Sequence, residues 1–235
     1  MKNKTMLQTA LLSLGLITTF HVHAGKSADP FLVKFVADKL EVANNDDNTR
    51  MWEIQMWAGT DWHKLWLYSE GESEQGETAS ENMLTYSHPI APFWDIQVGL
   101  ARDEQPGASY NWGVLGFNGL APYYFESQAH LLIGEDGTLG VRAGFEYEAL
   151  FTQFLILTPE IEFSAYSDDI PEMGIGGGLS TLSAGLRLRY EIKREFAPYI
   201  GVQWSQSYGK TADYLRSAGE ESGDTVWVAG VRIWF

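Results

Sequence analysis

The stretch TVWVAGVRIWF, from Thr225 to Phe235, decides the fold. At the two-residue period of an extended strand, Trp227, Ala229, Val231, Ile233 and Phe235 share one face, and Val228, Gly230, Arg232 and Trp234 share the other. One face is wholly apolar. A soluble sheet would have to cover it with a core, whereas a membrane strand turns it to lipid, with an aromatic residue at the interface, as Phe235 would be here.

The same alternation runs upstream over residues 31–42, 49–58, from Lys64 onward, and over 82–88, 95–103, 109–118, 123–133, 138–149, 153–166, 180–192 and 198–208, which with 225–235 makes twelve predicted strands. The connections after strands two, four, six, eight and ten are tight (GTDWH, HPIAPF, NGLAP, EALFT, KREFAP), and those after three, nine and eleven are long and acidic. A soluble meander has no reason to sort loop length by parity. An outer-membrane barrel does, with short periplasmic turns, longer outside loops and, for an even strand number, both termini periplasmic. The expected fold class is therefore all-β: a transmembrane antiparallel up-and-down β-barrel of about 12 strands with longer acidic extracellular loops. A soluble sandwich or lipocalin-like can is the competing architecture. Ala91-Pro92-Phe93, Ala121-Pro122-Tyr123 and Ala197-Pro198-Tyr199 each read as opening a strand from the periplasmic side, with an aromatic residue in the interfacial girdle.

Residues 1–24 read as a secretory leader, with Lys2 and Lys4 at the charged start, LLSLGLITTF as the apolar run and Val22-His23-Ala24 before the cleavage site. Residues 25–30 are then a short periplasmic lead-in, and 31–235 the barrel. No later run is long enough for a membrane helix, so membrane entry would require a closed barrel. Thirty-one acidic against sixteen basic residues give a formal charge of -15, which speaks against nucleic acid and for cations or solubility. The chain has no cysteine, which removes disulfides and thiolate metal sites.

If the apolar frame faces lipid, the other frame lines the lumen and is densely charged. Glu126, Gln128 and His130 fall on it in strand seven, Arg142, Glu146 and Glu148 in strand eight, and Glu160 and Glu162 in strand nine. Arg187, Arg189 and Glu191 follow in strand ten and Arg232 in strand twelve. Groups at this density can be buried only when paired or hydrated. They form either a network that holds the barrel's shape or a narrow cation path in which Glu126, Glu146, Glu148, Glu160 and Glu162 act as transient ligands. Met51, Met83 and His130 share the inward frame, and His63, His88 and Met173 lie at strand ends or in loops; thioether and imidazole donors suit copper. No HxH or HxxxH pair occurs outside the leader, so no preformed metal site is legible. Nor does any serine share a strand face with His130 or His88, and no enzyme is expected.

Several stretches go beyond pattern. KLWLYSEGE (64–72), IAPFWDIQVG (90–99), GLAPYYFE (119–126), LILTPEIE (155–162), GIGGGLSTLSAGLRLRYEIKREFAPYIGVQW (174–204), GKTAD (209–213) and VAGVRIWF (228–235) closely resemble the copper resistance protein B family. The resemblance implies an outer-membrane barrel in copper tolerance that binds or passes copper ions, with copper as its ion. As partners it implies outer-membrane lipid and periplasmic copper-handling proteins; the barrel-assembly machinery would read the strand that ends at Phe235. Lys64, Glu70, Asp95, Glu126, Glu162, Arg187, Arg189, Glu191 and Arg232 match recurrent family positions, and Glu126, Glu162, His130 and Met83 are the candidate metal contacts. Many members carry a Met- and His-rich segment before the barrel, where this sequence has GKSADP, and Gln128 and Gln203 stand where Glu is usual. The competing expectation is a passive porin or structural barrel with no copper role.

Overall fold

The chain is described from a computed structural model that covers residues 29–45 and 49–235. The expected leader and most of the lead-in lie outside the described residues. From Phe31 to Phe235 the chain forms one unit. Its strands are β1 (Leu32–Ala43), β2 (Arg50–Gly59), β3 (Lys64–Glu74), β4 (Glu77–Ala91), β5 (Trp94–Gln105) and β6 (Ala108–Ala121). They continue as β7 (Phe125–Gly134), β8 (Leu139–Tyr147), β9 (Leu155–Tyr166), β10 (Gly178–Tyr190), β11 (Phe196–Ser207) and β12 (Gly223–Trp234). Each strand pairs antiparallel with its sequence neighbours, and β12 pairs with β1, so the sheet closes into a twelve-stranded barrel with no free edge.

Closure is tight at the chain's end. The Phe35 amide donates to the Phe235 carbonyl at 3.0 Å, and the Phe235 amide donates back to Phe35 at 2.9 Å. β8 resumes at Ala149–Leu150 in unbroken register with β9, after a gap beside Pro159. Proline has no N–H to donate, which accounts for the interruption. The alternation read from sequence holds: Trp227 is 66% exposed on the outward face of β12, while Val228 beside it is buried. Among the described residues, no helix is long and apolar enough to cross a membrane.

Three local expectations are corrected. The acidic stretch after β3 is not a long loop: β3 and β4 continue as a paired hairpin to the turn at Gln75 and Gly76, where the Ser73 hydroxyl donates to the Glu77 carbonyl at 3.1 Å and accepts from the Thr78 hydroxyl at 3.3 Å. The last long connection contains a helix, α1 (Gly209–Ala218), capped by Gly219 at φ 88, whose backbone conformation favours glycine. Of the three Ala-Pro-aromatic repeats, Phe93 and Tyr123 sit in tight turns at positive φ, exposed as expected of a girdle. Tyr199, in contrast, lies within β11 and is buried on the inward face.

The end of the barrel opposite the termini is covered from within. The segment between β9 and β10 carries a short 3-10 turn, Pro171–Met173, that packs against β6. Ile170 and Met173 are buried with Tyr110, Trp112, Leu132 and Tyr166. Helix α1 ties this segment down. Thr211 Oγ1 accepts from the Gly176 amide at 2.9 Å, Asp169 Oδ1 accepts from the Gly177 amide at 2.9 Å, and Lys210 pairs with Asp169.

Candidate functional site

Strand register determines what the lumen contains. Following the cross-strand pairs, Lys39 on β1 faces Glu53 on β2, then Glu70 on β3, Glu81 on β4 and Asp103 on β5, a row of four acids on neighbouring strands. A second row runs from Glu126 on β7 to Glu146 on β8 and Glu160 on β9. Directly opposed side chains lie about 4.5–5.5 Å apart at Cβ, so like charges in such rows repel unless cations intervene.

Cations intervene at three places. Arg187 forks onto Glu41, at 2.5 Å and 3.1 Å, and also bonds Glu160. Lys39 reaches Glu53 at 2.9 Å, Glu160 at 3.1 Å and Glu162 at 3.6 Å. Arg142 bonds Asp103, Glu81 at 2.6 Å and the Tyr166 hydroxyl at 3.0 Å, and its guanidinium lies 5.9 Å from the Trp112 ring. Nearer the termini, Arg232 pairs with Asp38 at 2.7 Å, Arg189 with Glu148 and, at 4.0 Å, Glu191, and Lys64 with Asp95 at 3.0 Å. Among the described residues, Glu70, Glu126 and Glu146 have no basic nitrogen within 4.0 Å. Three lumenal carboxyl groups therefore have no cationic side chain of their own.

Of the residues assigned to the lumen from the sequence, Glu70, His130, Arg142 and Glu162 line the first cavity and Glu126, Glu146, Glu160 and Arg232 the third, but the assignment was incomplete. Asp38, Lys39 and Glu41 all serve the lumen because β1 carries a bulge between Ala37 and Lys39, so that two successive residues reach the same side. A strict two-residue period cannot anticipate this. Glu81 falls in the strand extension read as loop. Asp103 is different, since it shares the frame of Asp95 and was legible.

Three cavities, of about 210, 280 and 140 Å³, occupy the lumen, and Glu53 and Glu162 line all three. Of the four candidate metal contacts, Met83, His130 and Glu162 line the first cavity, while Glu126 lines the third with Glu146 and Glu160. Met51 and Met173 line the second. His130 is held rather than free: its Nε2 lies 3.2 Å from Gln97 Oε1, and Gln97 in turn donates to the Tyr68 hydroxyl at 2.8 Å. Gly116 leaves space for this ring, since a Cβ there would lie 2.3 Å from His130 Cδ2. Among the described residues, no three or more His, Asp or Glu side chains gather as a metal shell. The arrangement offers a series of weak oxygen donors with an occasional thioether.

A closed antiparallel barrel, apolar outside and lined with charge around several cavities inside, has a porin-like architecture. Solved structures agree on the fold: a KdgM porin matches with a TM-score of 0.53 at 12% identity, covering 86% of this chain and 99% of the porin. A NanC porin matches with a TM-score of 0.55 at 8% identity and the same coverage. More specifically, the family described as "Copper resistance protein B precursor (CopB)" matches residues 31–235. Copper resistance protein B of Escherichia coli is 44% identical over 211 residues, 89% of this chain and 71% of that protein. A copper resistance protein B homolog of Pseudomonas syringae pv. tomato is 42% identical over 203 residues, 86% of this chain and 69% of that protein. The chain belongs to the copper resistance protein B family, and that membership supports a role in copper resistance.

Proposed function

We propose that this protein is an outer-membrane barrel that binds copper ions transiently in its lumen and passes them as part of copper detoxification. The observation that carries the reading is the position of Glu53 and Glu162, on the wall common to all three lumenal cavities, with Lys39 between them. A cation moving along the lumen meets these carboxylates whichever cavity it occupies. Lys39 supplies the countercharge when no ion is present and yields by rotating its flexible stem. Glu70, Glu126 and Glu146, which lack a cation of their own, extend the attraction to either side. Met83 and His130 add softer donors at the first cavity. In this reading the end that carries both termini is periplasmic, the capped end faces outward, and periplasmic copper-handling proteins are the source or recipient of the ion.

The test is copper tolerance in a strain lacking this gene, complemented with the full chain or with Glu53→Gln/Glu162→Gln. The expected result is rescue by the full chain and clear loss of rescue by the double variant at equal barrel levels, with zinc tolerance unaffected. Undiminished rescue by the double variant would remove the lumenal carboxylates from the mechanism. No rescue even by the full chain would leave the passive-porin reading in front.

A further inference from the structure

We propose that His63 and His88 form a second metal site, for an imidazole-seeking divalent ion such as copper(II), on the outer wall of the barrel near the termini. The site lies outside the lumen and does not depend on the lumenal reading. The register that pairs Lys64 with Ser87 sets the preceding His63 across from His88 at the mouth of the β3–β4 pair. Ser87 is fully buried and donates to Asp95 at 2.7 Å, so it faces the lumen. His88, its neighbour, therefore faces outward, on the same side as the exposed Tyr86.

The two imidazoles lie with ring centroids 5.4 Å apart and planes 28° from parallel. Two ring nitrogens each about 2.0 Å from one copper(II), at the right angle of its tetragonal geometry, place their centroids about 4.5 Å apart, so the observed spacing closes by about 1 Å as the two exposed side chains rotate. The tautomer is also prepared. His88 Nδ1–H donates to the Trp62 carbonyl at 2.9 Å, which leaves Nε2 with its lone pair free. A histidine that ligates a metal typically makes this second hydrogen bond to a carbonyl or carboxylate. His63 Nδ1 is engaged by the Tyr86 hydroxyl, and in the tautomer in which Nδ1–H donates to that oxygen Nε2 keeps its lone pair for a metal. Both rings are accessible at the rim, and water completes the coordination. Copper(II) is held most tightly because divalent affinities for nitrogen sites peak there. The formal charge of -15 raises the local cation concentration for any such site.

Copper(II) electron paramagnetic resonance on the barrel comprising residues 25–235, refolded in detergent and loaded with one equivalent of the metal alone, tests this. Beyond the first 24 residues the sequence has three histidines, His63, His88 and His130, so nitrogen couplings can be assigned. The expected spectrum shows coupling to two imidazole nitrogens. The pattern survives in His130→Ala and is lost in His63→Ala and in His88→Ala. Since disturbing an outer-shell partner alone costs about 10–100-fold in affinity, losing either ligand should weaken binding by roughly tenfold or more. Unchanged two-nitrogen coupling in the H63A/H88A variant, or its absence from the unsubstituted protein, would overturn the proposal. Heat-modifiable gel mobility shows that each variant has closed its barrel.

Discussion

Phe35 and Phe235 exchange both of their backbone hydrogen bonds, and their rings stack at 6.5 Å, joining the first strand to the last residue of the chain. Deleting Phe235 removes both bonds, worth about 0.5–1.5 kcal/mol each, together with the ring contact. The heat-modifiable, closed fraction should fall severalfold, whereas Phe235→Leu, which keeps the backbone pair, should retain most of it. A full closed fraction after the deletion would mean that the seam is fixed elsewhere.

Arg187 is shared by Glu41 and Glu160, and all three are buried. Replacing it with alanine leaves Glu41 without a cation and Glu160 with Lys39 alone, a loss of about 3–5 kcal/mol by comparison with other broken buried pairs. Denaturant unfolding of the refolded barrel should show this as a lower midpoint. Adding Glu41→Gln and Glu160→Gln to the Arg187→Ala chain should restore part of it, because the charges left unpaired are then gone.

Lys39 is the resident cation between Glu53 and Glu162. Lys39→Met removes a positive charge but keeps an unbranched stem, so a cation arriving at the cavity junction meets two carboxylates without competition. Copper binding to the refolded barrel should tighten at least severalfold, measured by titration calorimetry in the H63A/H88A background. Unchanged affinity would place the ion away from that junction.

The capping segment should respond to pH through Asp169, whose carboxyl is held below its ordinary value of 3.8 by the Gly177 amide and by Lys210. Lys210 is raised above its ordinary 10.5 by the same partner. A lowered carboxylate contributes fully above 3.8 and loses its contribution as pH falls through the lower folded value. A raised lysine contributes fully below 10.5 and loses its contribution as pH rises through the higher one. The cap should therefore stay seated across neutral pH. Asp169→Asn should raise single-channel conductance at pH 7, and the gap between variant and unsubstituted protein should close as pH falls below 3.8. Equal conductance at pH 7 would show that Ile170 and Met173 seat the cap unaided.

The strands and their faces were legible because alternation is a local signal: Trp227 and Val228 differ in exposure for the reason their order in the sequence predicts. What escaped was set by something other than a uniform local period. The bulge at Asp38 depends on how β1 meets β2, and the nearness of His63 to His88 depends on a hairpin register across more than twenty residues. The four candidate metal contacts were recognised by residue type and frame. Their placement, with Glu162 on all three cavities, Met83 and His130 on the first and Glu126 on the third, follows from barrel closure, which no single strand records. Helix α1 did leave a sign, Gly219 as its cap, in a stretch whose acidity drew attention to itself as loop.

The lumenal ion pairs also bear on how the barrel is made. Arg187 and Glu41 are 146 residues apart in the chain, Lys39 and Glu160 are 121 apart, and Arg232 and Asp38 are 194 apart. None of these pairs can form until β1 and β12 meet. Contacts this distant in sequence are slow to form, because loop closure precedes any gain from them. Before closure the same carboxylates and guanidinium groups remain hydrated, and they give up that water only when the correct partner strand arrives. A barrel joined in the wrong register would bury them unmatched. The charges that fill the lumen therefore act as a late checkpoint on assembly, one that added salt should blur while the strands are still open and leave largely untouched once they have shut.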